Sequence, residues 1–302
     1  MNRTNTTDFM RDEGVGIMQT DLEAMFYAER AGEVYFVDGN KTDDSHDGST
    51  WANAFKYLST ALAASHANIA ITANRNWAGR NTIYVKADSI TEDLVLLADK
   101  TDVIGVGAKD SYDMPCIVGN HVPTNGMSTR FFNVQFRGAV ASGAIIWTLA
   151  SGSEGIVFKG CHFNGWSTTP ATIGLKSTAS PRLRIEGCKF FGAFSTAAIH
   201  LLTGDGNGTI IRDNLIQSGA IGIDIDSGFT CSNEQAWIID NRIKATGLVI
   251  DDDSDTIVIM GNLGSSAGTL GGTSHDIPVA NSAGNIIAGA TTAATVPFAT
   301  IE

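Results

Sequence analysis

Two aspartates in the second half of the chain have the residue type and spacing of an acid–base pair. Asp224 and Asp226 flank Ile225 in an alternating apolar run, so both carboxylates are expected on the outward side of one strand. Side chains at i and i+2 lie roughly 6.5 Å apart, near the lower limit for an inverting glycoside hydrolase. If the chain is an enzyme, the expected catalytic residues are this pair and the acidic run that follows: Asp224, Asp226, Asp251 and Asp252.

Other residue types that commonly carry chemistry form no complete motif. A nucleophilic triad is not indicated, because no G-x-S-x-G elbow accompanies the histidines at positions 46, 121, 162, 200 and 275. The four cysteines lack C-x-x-C spacing, which argues against a zinc site and favours free buried thiols. We therefore expect no metal and no cofactor, and we prefer a non-enzymatic role to polysaccharide cleavage.

An acidic loop near the N-terminal end has part of the pattern of a calcium loop. Asp43, Ser45 and Asp47 stand at alternate positions before Gly48, as oxygen ligands do in an EF-hand. Position twelve of that register is Ala54, so the bidentate carboxylate is missing. A tight turn with Asx hydrogen bonds is the favoured interpretation.

The composition excludes two classes of partner. The chain of 302 residues has a formal net charge of −12 and no cluster of Lys and Arg, so nucleic acid is not an expected partner. No stretch approaches the roughly 18 apolar residues of a membrane span, and the N-terminal residues lack the pattern of a secretory signal peptide. We expect no membrane partner, and a protein kept in the cytoplasm or released by a route other than general secretion.

An internal repeat of about 27 residues dominates the middle of the chain. Four segments alternate apolar residues and then place Gly or Asp before Cys or Asn, which recur at 161, 188, 214 and 241. A second apolar stretch follows in each repeat, for example at residues 198–201 and 221–225. One unit cannot bury its apolar side alone, but stacked coils pair strand on strand and share a core. The sequence predicts an all-β fold, a single-stranded right-handed parallel β-helix of about six coils.

The small residues that recur in the repeat are expected at equivalent turn positions on successive coils. They are Cys161, Cys188, Asn214 and Asn241. An inward Asn can hydrogen-bond its neighbours along the stack, and a small Cys can fill the same volume. We predict a structural ladder here. Stacking of Cys161 on Cys188 makes a disulfide conceivable, although thiols are favoured in the cytoplasm.

The N-terminal end of the solenoid is expected to be covered by a helix. Residues 34–80 comprise a first strand, the acidic loop and a capping helix, in which residues 55–64 place apolar side chains at helical spacing on one face. This helix would plug the open end of the solenoid, which otherwise exposes its core. Residues 81–265 then form the coils.

The two ends differ from the body and are predicted to make contacts with other chains. An N-terminal arm, residues 1–33, contains a capping box and a short amphipathic helix, in which Leu22, Met25 and Phe26 are candidate attachment residues. The alternative is that this helix packs on the first coil of its own chain. Residues 266–302 are rich in Gly, Ala and Thr, and we expect them to gain order by packing on a neighbouring subunit.

The start of the body resembles the N-terminal module of pectate-lyase-like β-helix proteins. Val34-Tyr-Phe-Val-Asp-Gly39 is followed by Asp47-Gly-Ser-Thr-Trp-Ala-Asn-Ala-Phe55 and an Ala-rich helix. The likeness covers residues 34–265 at the level of fold, and it specifies architecture better than activity. The chain is also similar to tailed-phage virion proteins of that superfamily, in which this module follows a short arm.

This resemblance implies a homotrimeric, non-enzymatic spike or decoration located on the virion and assembled in the host cytoplasm. It implies attachment to the capsid or to another virion protein through the N-terminal arm. Two alternatives stay open: a tail-attached tailspike that binds a host surface glycan, and a polysaccharide lyase or glycoside hydrolase. The capsid role is favoured because the chain is short and few aromatic residues fall where they would line an outer groove.

Overall fold

The computed structural model of the chain is a nearly all-β parallel solenoid of about six turns. It describes residues 32–70, 79–107, 114–124, 126–139, 144–165, 170–254 and 256–266, and the backbone of 282–283, 286–288 and 293–295. The predicted all-β solenoid is confirmed. The candidate attachment residues Leu22, Met25 and Phe26 lie outside the described residues, as does most of 266–302.

Three long sheets form the walls of the solenoid, and their strands pair in parallel from one coil to the next. The first sheet contains, in spatial order, Val34–Val37, Asn81–Lys86, Thr101–Val106, Arg130–Phe132, Val157–Lys159, Arg184–Glu186, Ile210–Arg212, Ala236–Ile239, Ile257–Met260 and Ser282–Ala283. The second contains Ser89–Thr91, Cys116–Val118, Gln135–Arg137, His162–Asn164, Lys189–Phe191, Leu215–Gln217, Arg242–Ala245, Leu263–Ser266, Ile286–Ala288 and Ala293–Thr295. The third contains Ile145–Leu149, Ile173–Thr178, Ala197–Asp205, Ile221–Thr230 and Ile250–Asp252. A small parallel pair joins Gly126–Met127 to Ser153–Glu154.

A residue with left-handed backbone turns each central coil from the first sheet into the second. The φ angle is 62° at Gly160, 59° at Gly187, 57° at Asp213 and 56° at Asp240. Glycine has no Cβ penalty in this region, and Asp tolerates it better than most residues. The requirement for positive φ explains why the repeat places Gly or Asp at this point.

The next residue of each coil belongs to a buried column of small side chains. Asn241 Oδ1 accepts hydrogen bonds from the Nδ2 and the backbone N–H of Asn214 at 2.9 and 3.1 Å. Asn241 Nδ2 in turn donates to Asn262 Oδ1 at 2.9 Å. The thiols of Cys161 and Cys188 donate to backbone carbonyls at 3.4 and 3.3 Å. All four cysteines are free thiols, and burial raises the pKa of Cys188.

Aromatic side chains fill the middle of the core. Phe163 stacks on Phe190 with ring centroids 4.4 Å apart, and Phe131 stacks on Phe158 at 5.3 Å. Trp147 is fully buried, with its ring centroid 5.4 Å from that of Phe131. In later coils isoleucine takes over the register positions of these phenylalanines. The core is therefore continuous from coil to coil.

One helix, Leu58–Ala70, covers the N-terminal end of the described stack. It begins later than the predicted residue 55 because Phe55 is extended. The Phe55 N–H donates to the Phe36 carbonyl, and its own carbonyl accepts from the Asp38 N–H. The Glu92 carboxylate accepts from the first two helical N–H groups at 2.8 and 2.9 Å, which satisfies the first turn. Within the described part of the chain, no helix is long and apolar enough to cross a membrane.

The acidic loop is held by its own carboxylates. Asp43 and Asp47 each accept a hydrogen bond from the backbone N–H two residues further on, at 3.0 and 2.9 Å. This is the Asx geometry of a tight turn. Asp44 accepts from the backbone N–H groups of Lys56 and Tyr57, so the loop also fixes the segment that leads into the helix.

Among the described residues of the C-terminal segment 266–302 are three short strands. Ser282–Ala283 pairs in parallel with Ile257–Met260, and Ile286–Ala288 with Leu263–Ser266. Ala293–Thr295 runs antiparallel to its neighbour in the second sheet. These strands extend the chain's own stack, and packing of the segment on a neighbouring subunit stays a prediction.

Candidate functional site

The third sheet brings His200 against the two aspartates that the sequence singles out. Ile199 and Leu201 on either side of His200 belong to the core, so the imidazole lies on the outer face. The parallel register pairs His200 directly with Asp224 on the next coil. His200 Nε2 lies 3.5 Å from an Asp224 oxygen and 3.3 Å from an Asp226 oxygen.

A β-bulge explains why Asp226 reaches the histidine. One residue separates Leu201 from Thr203, whereas two residues separate their pairing partners on the next coil. Bulges bend a strand and redirect its side chains. Asp226 therefore places an oxygen nearer to His200 than the direct register partner Asp224 does.

His200 is enclosed and its ring nitrogens are unsatisfied. Only 9% of the residue is exposed, and neither ring nitrogen has a hydrogen-bond partner. The side chains of Asp224 and Asp226 are 15% and 38% exposed, so the site opens toward solvent on the Asp226 side. Buried polar groups without partners are unusual and each one calls for an explanation.

Negative charge is concentrated around this histidine. Burial raises the pKa of the Asp224 carboxyl, His200 opposes that shift, and the charges of Asp226 and Asp253 add to it. A further carboxylate, Asp251, pairs in register with Asp224 on the following coil. Such a surface favours a cation over an anionic ligand.

Asp252 stands apart from the other candidate carboxylates. It pairs in register with the inward Ile225 and is 2% exposed. Its Oδ1 accepts from the backbone N–H and the hydroxyl of Ser254 at 3.0 and 2.7 Å. Asp252 therefore stabilises a turn, whereas Asp224 and Asp226 meet at His200 and Asp251 lies beside them in the register.

The two central carboxylates are closer together than strand spacing alone predicts. One oxygen of Asp224, one oxygen of Asp226 and one ring nitrogen of His200 all lie within 4.8 Å of one another. An inverting acid–base pair keeps its carboxyl groups about 6.5–9.5 Å apart to admit a water. The arrangement is better suited to holding one ion than to that mechanism.

His200 is not among the site residues predicted from the sequence. The signal that identifies it is the alignment of the second apolar stretches of successive coils, which sets residues 198–201 beside 221–225. The bulge that brings in Asp226 has no comparable signature in the sequence.

The chain matches no protein-family model, and no curated protein and no solved structure resembles it significantly. Its parallel solenoid fits the pectate-lyase-like β-helix fold that the sequence resembles. The phage part of that resemblance stays a prediction.

Proposed function

We propose that this chain is a structural protein of a tailed-phage virion, a homotrimeric β-solenoid spike or decoration bound to the capsid and without enzymatic activity. The observation that carries the proposal is the continuous stack of coils, joined along its walls and through the buried Asn column. Such a solenoid is a stiff elongated body, which suits a projection from a particle surface. The module at residues 34–55 supports a relation to virion proteins of this superfamily.

Exposed apolar side chains on the C-terminal coils support contact with neighbouring subunits. Leu215 and Leu263 are 42% and 46% exposed, and both pair in register with Arg242. Trp237 and Met260, on the first sheet of the same region, are each 39% exposed. Arg242 separates the two leucines along the stack, whereas exposed Trp and Met side chains are of the types enriched at protein–protein interfaces. In the proposed trimer they pack against the other two chains.

The distribution of aromatic residues supports a non-enzymatic role. Among the described residues, only Trp51 and Trp237 are exposed aromatic side chains. They lie at opposite ends of the stack, on the loop before the helix and on the strand Ala236–Ile239. An aromatic-lined saccharide groove, as a tailspike or a polysaccharide-cleaving enzyme would use, finds little support in this distribution.

The proposal is tested by oligomeric state and by attachment to particles. Light scattering of the purified full chain is expected to give the mass of three chains at all concentrations, and a concentration-independent monomer would contradict the trimer. Phage particles that encode a chain lacking residues 1–33 are expected to lose the protein, whereas Asn233→Ala particles keep it. Depolymerase activity that disappears in Asp224→Asn would instead favour the enzyme alternative.

A further inference from the structure

We propose that His200, Asp224 and Asp226 bind one divalent transition-metal ion of the zinc class on the outer face of the third sheet. The three residues come from two successive coils, so the ion would join one coil to the next outside the core. This inference is independent of the virion role, because it concerns only the chemistry of the three side chains.

Two of the three distances between the ligand atoms match those of a shared ion, and the third, between the two carboxylate oxygens, is at most 4.8 Å. Zinc binds imidazole nitrogen and carboxylate oxygen at about 2.0–2.2 Å, which in a tetrahedral site sets neighbouring ligand atoms about 3.4 Å apart. His200 Nε2 lies 3.5 Å from the Asp224 oxygen and 3.3 Å from the Asp226 oxygen. Both separations exceed the usual length of an N–H···O hydrogen bond, about 2.7–3.2 Å.

The state of His200 points independently to a ligand. Its residue exposure is 9%, and neither ring nitrogen donates or accepts a hydrogen bond. Burial of an imidazole without partners is unfavourable, and the ring is directed at two carboxylates that it contacts without hydrogen-bonding geometry. A cation bound between these three ligand atoms gives His200 Nε2 the partner that it lacks. The same cation also neutralises the charge of the two carboxylates.

The donor set determines the class of ion. Calcium prefers six to eight oxygen ligands, and magnesium prefers an octahedral set of oxygens with several waters. One imidazole with two carboxylates instead suits zinc and other first-row transition metals. Three protein ligands leave at least one coordination position open, on the side where Asp226 is 38% exposed.

The proposed ion has a structural consequence that can be measured. Because His200 and the two aspartates lie on adjacent coils, an ion that binds all three binds the folded stack and not the unfolded chain. Binding to the folded state alone raises the melting temperature as the concentration of the ion increases. The stabilisation therefore reports the site without any assumption about activity.

The direct test is a zinc titration of the full chain. After treatment with a chelator and dialysis, Zn²⁺ is titrated against a chromophoric competitor, and the expected result is one bound ion per chain. Asp226→Asn and Asp224→Asn are expected to weaken binding by at least the tenfold to hundredfold that loss of supporting metal-site residues commonly causes. An unchanged affinity in both variants, or no binding by the native chain, overturns the proposal.

Two matched variants distinguish Zn²⁺ binding at this site from Zn²⁺ binding by other residues of the chain. Asp251→Asn removes the neighbouring carboxylate of the same register column, and Cys231→Ser removes the thiol that is least buried. Cys231→Ser is expected to bind Zn²⁺ as the native chain does, whereas Asp251→Asn, which removes a neighbouring charge and no ligand atom, is expected to weaken binding clearly less than Asp226→Asn does. Loss of binding in Cys231→Ser with retention in Asp226→Asn would place the ion elsewhere and overturn the assignment.

Measurements on the native chain keep the test informative if a variant does not fold. Co²⁺ is expected to give visible absorption bands of nitrogen and oxygen ligation without a thiolate charge-transfer band. Zn²⁺ is expected to raise the melting temperature, whereas Ca²⁺ and Mg²⁺ at the same concentration leave it unchanged. A thiolate band, or an equal effect of Ca²⁺, contradicts the proposed site.

Discussion

Asn214 and Asn241 lie one coil apart, and the Nδ2 of Asn214 donates to the Oδ1 of Asn241 at 2.9 Å inside the core. The same Oδ1 accepts the backbone N–H of Asn214, and Asn241 Nδ2 donates to the carbonyl of Ile211 at 3.0 Å. Asn241 Nδ2 also donates to Asn262 Oδ1 on the following coil at 2.9 Å, so this one side chain satisfies polar groups on the coils before and after its own. The column couples the stability of each coil to that of the next.

Asn241→Ala is expected to destabilise the protein strongly. The substitution removes the acceptor of the buried Asn214 backbone N–H, one of the two acceptors of Asn214 Nδ2, and the side-chain donor to the Ile211 carbonyl. A buried group left without its partner costs about 1–3 kcal/mol. We expect a loss of about 2–3 kcal/mol in the free energy of unfolding, measured by urea denaturation. The exposed Asn233→Ala is the control and should stay within about 0.5 kcal/mol of the native chain. Equal effects of the two substitutions would contradict the role of the ladder.

Substitutions at Gly187 measure the free-energy cost of its backbone conformation without a contribution from packing. Its φ is 59°, and an added Cβ would meet no atom within 4 Å, so only the left-handed conformation opposes a side chain. Gly187→Val is expected to lose about 1–2 kcal/mol. Gly187→Asp is expected to lose clearly less, because Asp213 adopts the same conformation one coil later. Thermal denaturation of the pair checks this order, and a Val variant as stable as the Asp variant would refute it.

His121 is expected to make the fold sensitive to mild acid. The residue is fully buried, its Nδ1 accepts the Leu94 N–H at 3.2 Å, and burial lowers its pKa to about 4. The unfolded chain takes up this proton near pH 6.5, so stability falls by up to about 3 kcal/mol as the pH drops from 6.5 to 4. His121→Asn removes this titration, and its free energy of unfolding should depend less on pH across that window. Parallel curves for the two proteins in urea titrations would show that His121 does not contribute.

Asp102 is expected to stabilise the first coils only while it is ionised. Its carboxylate accepts from Arg80 and Arg130, each at 2.7 Å. Burial alone would raise the pKa of Asp102, but the hydrogen bonds and charges of the two arginines outweigh it, and the pKa is lowered. The stabilisation is therefore complete above the ordinary Asp value near 3.9 and is lost as the pH falls through the lowered pKa.

Asp102→Asn tests this pair of contacts. At pH 7 we expect a loss of about 2 kcal/mol, typical of hydrogen bonds to a charged group. The difference from the native chain should begin to shrink below about pH 4, where the unfolded chain takes up this proton, and should be lost as the pH falls through the lowered pKa of Asp102. A difference that does not change with pH would mean that the substitution acts through packing instead.

The stack itself was predictable because its determinants are local and recur. Cys161, Cys188, Asn214 and Asn241 recur at steps of 27, 26 and 27 residues, and the structure places them in one column. The preceding residue needs a positive φ, which restricts it to a few residue types and makes the repeat visible. Periodicity of this kind can be recognised in the sequence without knowledge of any contact.

The start of the helix and the site at His200 depend on contacts that are distant in sequence. Phe55 has helical spacing relative to Leu58, yet its backbone pairs with Phe36 on the first strand. His200 meets Asp226 at the point where the register between their two strands shifts, after Leu201. Neither the tertiary pairing nor the bulge leaves a pattern in the local sequence, so propensity and periodicity alone do not predict them.

The virion role is tested most directly by an imaging reconstruction of phage particles that carry this chain. The proposal predicts elongated projections with threefold symmetry on the capsid, whose density accommodates the parallel solenoid with the N-terminal arm toward the shell. Particles from which the protein is absent, or projections confined to the tail, would contradict it.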